Sequence, residues 1–495
     1  MTPRSPHKIP ERPDSTGAVG AVALLCCVMS DDSSSRIAAD LRRWIDTAPP
    51  GAKLPSTRSL VAEHAVSPVT VQKSLRMLTN AGLIEARPGV GTFVRSVRTA
   101  RPSDYGWQTA ALAPGLRLPK MPAALQSTPN DVIALHSGYP DRELLPERLV
   151  RAAFGRAARS DAAIGRPRTA GLDELQSWFA TELGSAAPVG VTPPAASDVV
   201  VQPGSQAAIG TVFRTLVGVG RPLLIESPTY WGAILAAEQA GVEVIPVPSG
   251  FHGPDPDELS RAFERTGARA FYAQPNFASP TGALWSTARS DRVLEIVREH
   301  SAFLIEDDAM HDFGITADPT PIAARDDAGH VVYIRSLAKS VSPAVRVAAV
   351  IARGPAHERI LADTQVQSMY VSGILQAVAL DVVTHPSWKT HLRNVRRQLQ
   401  VRRDLLLDSL REHAPLVHIE AVPRGGINLW VRLPDAADLD TVVRECRSAG
   451  VVIGAGNDWF PAEATGKYVR LTYAGPTPSA FPDAARTLGE TVSRV

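Results

Sequence analysis

Five short apolar runs, spread over residues 198–334, constrain the fold of this chain more than any other feature. Each is rich in aliphatic or aromatic residues, is short enough to be a buried strand, and leads into polar residues, glycine or proline. Such a series predicts buried strands, with candidate binding and catalytic residues at their ends. The runs occupy residues 198–202, 222–227, 270–274, 302–308 and 329–334.

The last of these runs leads into a lysine. Lys339 has Ser336 three residues before it and Arg346 seven residues after it. A lysine amine can condense with an aldehyde, and a hydroxyl and a guanidinium beside it can hold a phosphate. An aldehyde and a phosphate on one molecule describe pyridoxal 5'-phosphate (PLP). Because a lysine near a strand end is more often a solvated surface group, the neighbouring runs must decide between the two interpretations.

Three of the earlier runs supply further groups that PLP needs. Asp307 ends an apolar run, and a buried carboxylate there can pair with a protonated pyridine nitrogen and make the ring an electron sink. Ser205 and Gln206 follow Gly204 at a predicted helix start, where free backbone N–H groups suit a phosphate. Tyr230 follows another run and can stack on a ring. The ordered set therefore predicts a PLP pocket.

In this order the five pieces resemble the fold-type I PLP enzymes of the aminotransferase class I/II family, and the resemblance covers residues 131–495. It implies an α/β transferase fold with a large and a small subdomain. It also implies that Lys339 is the catalytic residue, bonded to the cofactor aldehyde, and that Asp307 is the pyridinium partner. The remaining cofactor contacts that it implies come from Ser205, Gln206, Tyr230, Ser279, Ser336 and Arg346.

The segment 468–473 resembles the carboxylate-binding motif of the same family. A guanidinium grips a carboxylate with two parallel hydrogen bonds. The resemblance therefore implies that Arg470 holds the carboxylate of an amino-acid substrate or of a small amino-compound effector.

Two positions depart from the family pattern. Ser279 stands where the family usually has asparagine, and Ala309 stands where it has tyrosine. In the family both of those side chains hydrogen-bond the phenolic oxygen of the cofactor. Ser279 can replace one contact if it reaches, whereas Ala309 can replace none. The departures favour cofactor binding over efficient transamination. A tyrosine that the partner subunit often supplies corresponds to Arg166 here.

The first hundred residues follow a different plan. Residues 35–45 carry apolar side chains on one helical face, and further helices are predicted after the N-cap residues Ser56 and Ser67. Two strands, 83–87 and 92–95, flank a turn that contains two glycines. A helix, a helix-turn-helix and a hairpin in this order predict a winged helix-turn-helix domain.

This plan resembles the GntR-family DNA-binding domain over about residues 35–97, on the motifs at 54–60, 66–71 and 89–94. By that resemblance the second helix of the motif enters a major groove of double-stranded DNA, and the wing approaches an adjacent groove. The alternative is a generic three-helix module that mediates protein contacts. The residues implied in DNA contact are Arg58, Ser67, Thr70, Gln72, Lys73, Arg76 and Arg87.

Charge favours the DNA-binding interpretation. Within residues 31–100 ten basic residues against six acidic residues leave a charge of +4, while the whole chain carries only +2. The basic excess therefore lies on the front domain, where phosphate neutralisation requires it.

Length and cysteine usage complete the outline. With 495 residues the chain has room for about three domains. Cys26, Cys27 and Cys446 form no disulfide framework, which favours a reducing cytoplasm, and no histidine or cysteine cluster has metal-ligand spacing. The apolar run 17–29 is too short to span a bilayer. We interpret it as part of a leader, or as the sign of a translation start placed too early. The predicted division is a flexible leader over 1–30, a DNA-binding domain over 31–98, an extended linker over 99–130 and a PLP domain over 131–495.

A winged helix fused to an aminotransferase-like domain resembles the MocR subfamily of GntR regulators. That resemblance implies a cytoplasmic, head-to-tail homodimer and a transcriptional regulator that senses PLP or an amino compound. Two alternatives stay open at this point. One is an aminotransferase with an ancillary DNA-binding domain. The other is a repressor that has lost the cofactor and uses its larger domain only to dimerise.

Overall fold

The computed structural model describes residues 33–95, 105–112, 123–126, 128–129 and 131–495. They fall into two compact units, Met1–Arg117 and Leu118–Val495. The predicted leader, 1–30, lies outside the described residues, as does most of the predicted linker. In the described helices, no segment is both long enough and apolar enough to cross a membrane.

The first unit contains the predicted helices and hairpin. Ser56 and Ser67 cap the second and third helices through their hydroxyls, which accept the backbone N–H groups of Ser59 and Thr70. This satisfies donors that have no partner within the helix. The elements are α1 (Ser33–Thr47), α2 (Thr57–His64), α3 (Pro68–Asn80), β1 (Ile84–Arg87), β2 (Gly91–Val94) and α4 (Gly106–Ala111).

A small apolar core holds these elements together. Ile37 of α1, Leu60 of α2 and Val71 of α3 are fully buried against one another's helices, and β1 pairs with β2 as an antiparallel hairpin. The winged helix-turn-helix predicted from the sequence is therefore confirmed. The helix α4 falls within residues 99–130, so the linker is not extended over these six residues.

The second unit is an α/β domain built on an eight-stranded sheet in the order β4-β11-β10-β9-β8-β5-β6-β7. Strands β10, β9, β8, β5 and β6 are parallel, and β11 runs antiparallel to both of its neighbours. The strands are β3 (Ile133–Ala134), β4 (Val199–Gln202), β5 (Pro222–Ser227), β6 (Glu243–Gly250), β7 (Gly253–Pro254), β8 (Ala270–Ala273), β9 (Phe303–Asp307), β10 (Val331–Ser336), β11 (Ala348–Ile351), β12 (His418–Ile419), β13 (Asn428–Arg432), β14 (Val451–Val452), β15 (Gly454–Ala455) and β16 (Tyr468–Thr472).

Helices cover both faces of this sheet. Because side chains alternate along a strand, Val201 joins the core on one face while Val200 joins the core on the other. The helices are α5 (Glu147–Ala157), α6 (Asp173–Gly184), α7 (Ser205–Val212), α8 (Trp231–Ala240), α9 (Pro256–Thr266), α10 (Thr287–Glu299), α11 (Gly354–Ser368), α12 (Gly373–Val383), α13 (Trp388–His413), α14 (Leu439–Ser448) and α15 (Phe481–Arg494).

A smaller subdomain follows the large sheet. Its four strands run in the order β12-β13-β16-β15, and a third apolar core joins them to α13, α14 and α15. Helices α13 and α15 approach closely at Gly489, where an added Cβ would lie 2.0 Å from the carbonyl oxygen of His413. The fold thus confirms the predicted α/β transferase with a large and a small subdomain.

The contact at Gly489 yields a stability prediction. Gly489→Ala should lower the free energy of unfolding by about 1–3 kcal/mol, because the methyl group must push two packed helices apart. Gly155→Ala is the matched control, since this glycine also lies in a helix but its added Cβ would meet only the end of Arg159 at 3.8 Å. The control should raise stability by about 0.5–1 kcal/mol. Thermal unfolding measures both, and equal effects of the two variants would contradict the prediction.

Candidate functional site

The candidate site is a pocket at the carboxyl ends of the parallel strands. This is the edge at which open α/β sheets hold their ligands. Asp307 ends β9, Ser336 ends β10, and Ser205 begins α7 directly after β4. The pocket has a volume of about 420 Å³, counted out to its open mouth. Its lining residues are Tyr139, Ser205, Gln206, Tyr230, Gln274, Asp307, Ala309, Ser336, Ala338, Lys339 and Arg346.

The carboxylate of Asp307 lines this pocket, and only one of its two oxygens has hydrogen-bond partners among the described residues. Its side chain is 1% exposed, and its Oδ2 accepts hydrogen bonds from the Tyr272 hydroxyl and the Gln274 amide nitrogen, both at 2.7 Å. Its Oδ1 is buried and has no hydrogen-bond partner among the described residues. Burial raises the pKa of Asp307, while the Tyr272 hydrogen bond and the charge of Lys339 oppose that change. A cationic donor facing Oδ1 would complete this site.

Lys339 lies in the same pocket with an amine that is easily deprotonated. Its Nζ is 3.9 Å from the sulfur of Met310, a weak acceptor. Burial lowers the pKa of Lys339 to about 8; the charges of Arg470 and Arg346 act in the same direction, and that of Asp307 opposes them. The lowered pKa increases the share of uncharged amine, the form that attacks an aldehyde, to about a tenth at pH 7.

The other end of the pocket is suited to a dianion. Gly204 precedes α7 with φ +93°, and no side chain caps the first N–H groups of that helix. Arg346 makes no hydrogen bond or ion pair with any residue in the described part of the chain, and a Cβ on Gly204 would lie 2.2 Å from its Nη2. Glycine at 204 therefore leaves room for the guanidinium beside an open helix start, and Ser205 and Ser336 add hydroxyls.

Tyr230 also lines the pocket, where a hydrogen-bond chain holds its ring. Its hydroxyl donates to Oε1 of Gln206 at 3.2 Å, and Nε2 of Gln206 donates to the carbonyl oxygen of Gly232 at 2.7 Å. The two bonds fix the phenol ring on the wall of the pocket. Its position is compatible with stacking on an aromatic ligand.

Arg470 is buried next to the pocket and does not line it. It lies on β16, donates from Nη2 to the carbonyl oxygen of His136 at 2.5 Å, and sits 4.8 Å from the ring of Trp459. Its Nε is buried without a partner among the described residues, and burial lowers the pKa of Arg470 to about 10. An anionic ligand would relieve this desolvated cation.

The structure thus brings seven of the eight predicted cofactor residues into one pocket, and Ser279 is the exception. Ser279 is buried and absent from the lining; its backbone N–H donates to Oε1 of Gln274 at 3.0 Å. Sequence reasoning overlooked Gln274 and Met310. Gln274 ends an apolar run and could have been noticed there, whereas nothing in the pattern marks Met310. Tyr139, also in the lining, lies in a segment that the family resemblance had included.

The predicted DNA-contacting side chains lie on the first unit. Arg58 of α2 and Arg76 of α3 are exposed, and neither forms a side-chain hydrogen bond or ion pair with the described residues. Gln72 and Lys73 are also exposed on α3. Arg87 on the wing donates to Glu85 at 2.9 Å and lies 4.6 Å from the ring of Phe93. The hydroxyls of Ser67 and Thr70 bond each other at 2.8 Å, so capping already occupies them in part.

Fold and site together define a class of protein in which a DNA-binding head and an aminotransferase-like domain share one chain. Residues 130–488 match the family model for aminotransferase class I and II, and residues 33–94 match that for bacterial regulatory proteins of the gntR family. The chain therefore belongs to the aminotransferase class I and II family and, with its gntR-family head, is a transcriptional regulator of the MocR type.

Individual relatives agree with this assignment. The chain is 29% identical to the HTH-type transcriptional regulator YdfD of Bacillus subtilis over 86% of this chain and 89% of that protein. It is 27% identical to the probable rhizopine catabolism regulatory protein MocR of Rhizobium meliloti, over 88% of each. Among solved structures it is similar to LysN, the alpha-aminoadipate aminotransferase of Thermus thermophilus complexed with N-(5'-phosphopyridoxyl)-L-leucine, with a TM-score of 0.67 and 26% identity over 74% of this chain and 93% of that one.

The unpaired arginines of the head yield a binding prediction. Arg58→Ala and Arg76→Ala should each weaken binding to DNA from the region around its gene by about 10-fold and make binding less salt-dependent, because each arginine is predicted to contact phosphate or base. Fluorescence anisotropy at several salt concentrations measures both effects. Arg292→Ala, an exposed arginine on α10, is the charge-matched control and should bind like the wild type. Unchanged binding by both head variants would contradict the assignment of this surface.

A buried carboxyl behind the pocket yields a pH prediction. Burial raises the pKa of Glu226 to about 7, against 4.5 for the ordinary group, although Gln274 N–H and the Ser249 hydroxyl donate to it. As pH rises from about 5 to 7, the unfolded chain has lost this proton while the folded chain still holds it. The contribution of this group to stability is therefore expected to fall over that window, by up to about 3 kcal/mol.

Glu226→Gln removes the titration and should flatten the decline. Thermal unfolding of both proteins between pH 5 and 7.5 measures the difference. A wild-type stability that rises across this window relative to the variant would show that the carboxyl is ionised in the folded protein.

Proposed function

We propose that this regulator binds PLP covalently at Lys339 and that the state of the pocket changes its affinity for operator DNA. The observation that carries the proposal is the unpaired, buried Oδ1 of Asp307 in the same pocket as Lys339. A buried acceptor without a donor costs free energy, and a protonated ring nitrogen supplies both a donor and a positive charge. The solved LysN structure, whose ligand carries a phosphopyridoxyl group, supports the same assignment.

Each predicted cofactor residue has a role in this proposal. Asp307 pairs with the ring nitrogen, and Tyr230 packs on the ring. Ser205, Gln206, Ser336 and Arg346 hold the phosphate, and Ser279 acts through its backbone. When bound, PLP supplies an aldehyde carbon that bonds to amines and a ring that accepts electrons. Lys339 supplies the amine, and its lowered pKa keeps part of it ready to react.

An amino-compound effector competes with Lys339 for the aldehyde carbon. If the effector carries a carboxylate, Arg470 takes it, because its buried guanidinium is short of partners. Such competition would release the amine of Lys339, protonated if the effector enters as an ammonium, and would place the effector near Arg470 of the small subdomain. An effector changes DNA affinity only if it binds one arrangement of the protein better than another; a coupling of ~1–3 kcal/mol gives roughly 5- to 150-fold in affinity.

The proposal includes a homodimer in a head-to-tail arrangement. Ile164 is 93% exposed and Met369 is 67% exposed, and apolar side chains this open suit an interface between copies. Arg166 lies beside Ile164 and would approach the partner's pocket.

Binding to chromosomal DNA places the protein in the cytoplasm. The division into a DNA-binding domain over 31–98, a linker over 99–130 and a PLP domain over 131–495 belongs to the same proposal. The DNA-contacting set is Arg58, Ser67, Thr70, Gln72, Lys73, Arg76 and Arg87.

A second candidate is an aminotransferase with an ancillary head. The similarity to LysN and the partner-poor Arg470 favour it. Against it, Ala309 lines the pocket and Met310 lies 3.9 Å from the amine, and neither offers a hydroxyl to the phenolic oxygen of the cofactor. Incubation of PLP-loaded protein with an amino acid and a keto acid distinguishes the two functions. Steady conversion over many turnovers would favour the enzyme.

The covalent proposal predicts a specific adduct. Reduction of the PLP-treated protein with borohydride should add one phosphopyridoxyl group to the peptide that contains Lys339, as detected by mass spectrometry. Lys339→Ala should lose both the adduct and the visible absorbance, whereas the control Lys389→Ala, an exposed lysine on α13, should keep both. Asp307→Ala should weaken PLP binding by at least about 10-fold, because the ring nitrogen loses its anion.

DNA binding completes the test. The wild type with PLP, without PLP, and with PLP plus candidate amines should differ in affinity for operator DNA, while Lys339→Ala should respond to none of them. An adduct that forms without any change in DNA affinity would remove the sensing proposal. A wild type that forms no adduct at Lys339 would remove the cofactor and leave a dimeric DNA-binding protein.

A further inference from the structure

Gln274 makes three hydrogen bonds at the back of the pocket. Its side-chain nitrogen donates to Oδ2 of Asp307 at 2.7 Å, and its side-chain oxygen accepts the backbone N–H of Ser279 at 3.0 Å. Its own backbone N–H donates to Oε2 of Glu226 at 2.8 Å. The side chain is 5% exposed, so water does not substitute for these partners. Both ends of the amide are therefore fixed from opposite sides.

These contacts also decide which way the amide points. An N–H group can only donate, so the atom of Gln274 that faces the Ser279 N–H must be the oxygen. The nitrogen must then face Asp307, where it meets a carboxylate that can only accept when ionised. A reversed amide would place two donors together at one end and two acceptors together at the other. The side-chain N–H of Gln274 is therefore fixed as a donor to Oδ2 of Asp307.

The fixed amide determines the position of the other carboxylate oxygen of Asp307, Oδ1. With Gln274 and Tyr272 both donating to Oδ2, the carboxyl group is prevented from rotating, and its second oxygen is left unpaired within the pocket lining. Two neutral donors also favour the ionised form of a group whose burial works against ionisation. Glu226 and Ser279 hold Gln274 in place without lining the pocket themselves.

We infer that Gln274 is a positioning residue that orients Asp307 and keeps it ionised for the ring nitrogen of the cofactor. The inference rests on the proposed function, since it assigns Gln274 a role in the same PLP site. It also gives a reason for the position of the segment that contains Ser279. The backbone N–H of Ser279 holds the side-chain amide of Gln274, and that amide in turn holds Asp307.

The test compares two buried glutamines. Gln274→Met preserves length and burial and removes the donor. Gln376→Met is the matched control, because Gln376 is also buried, also accepts one backbone N–H, from Leu172, and donates once, to the carbonyl oxygen of Val371, away from the pocket. Gln274→Met should raise the dissociation constant for PLP by about 10- to 100-fold, the effect of losing a hydrogen bond to a charged group. Gln376→Met should leave that constant within about twofold of the wild type, a margin below the effect of any such bond.

A double-mutant cycle identifies the partner through which Gln274 acts. In an Asp307→Ala background, Gln274→Met should cost no further PLP affinity. In the cofactor-free proteins, the thermal midpoints of the same four variants should be non-additive, because residues that share a hydrogen bond couple. The adduct at Lys339 should still form in Gln274→Met at saturating PLP.

The outcomes distinguish a failure of the proposed PLP site from a failure of the role assigned to Gln274. A wild type without an adduct at Lys339 refutes the proposed function, and the cycle in the cofactor-free proteins still decides whether Gln274 acts on Asp307. If the wild type forms the adduct, equal losses of PLP affinity in Gln274→Met and Gln376→Met overturn the inference in favour of a structural role. Additive effects of the 274 and 307 substitutions overturn it as well.

Discussion

The pocket depends on a buried carboxylate that the protein satisfies on one side only. Asp307 is 1% exposed, and the donors Tyr272 and Gln274 both reach the same oxygen. Leaving the other oxygen unpaired in a dry environment is unfavourable by itself. Proteins keep such arrangements where a ligand completes them, and the amine of Lys339 and the guanidinium of Arg346, each short of partners, lie in the same lining.

The order of the strands explains how distant residues come to share this pocket. Strands β10, β9, β8 and β5 are parallel, so the residues that follow them all emerge at one edge of the sheet. Lys339, Asp307, Gln274 and Tyr230 are spread over more than one hundred residues of sequence. The topology, and not any local motif, makes them neighbours, and the uncapped helix start at Ser205 lines the same pocket.

Much of this could be predicted from the sequence because the signals are local. Apolar runs and cap residues such as Ser67 depend on neighbours within a few positions, and the ordered end residues of the runs matched a known family. What escaped prediction depends on tertiary geometry. The contact of Met310 with Lys339 arises across two strand ends, and Gln274 acquires its role only because Ser279 and Asp307 face its two amide atoms.

Electrostatics connects the pocket to the kind of ligand that a regulator would sense. Three cations, Lys339, Arg346 and Arg470, lie close enough for the two arginines to lower the pKa of the lysine, while Asp307 is the main opposing charge. Such a cluster favours ligands with two anionic ends, a phosphate at Arg346 and a carboxylate at Arg470, joined through an amine at Lys339. An amine without a carboxylate would leave Arg470 buried and partner-poor, at a cost in affinity. Under the proposed function, these charges would favour amino acids over simple amines as effectors, whether or not the pocket completes a catalytic cycle.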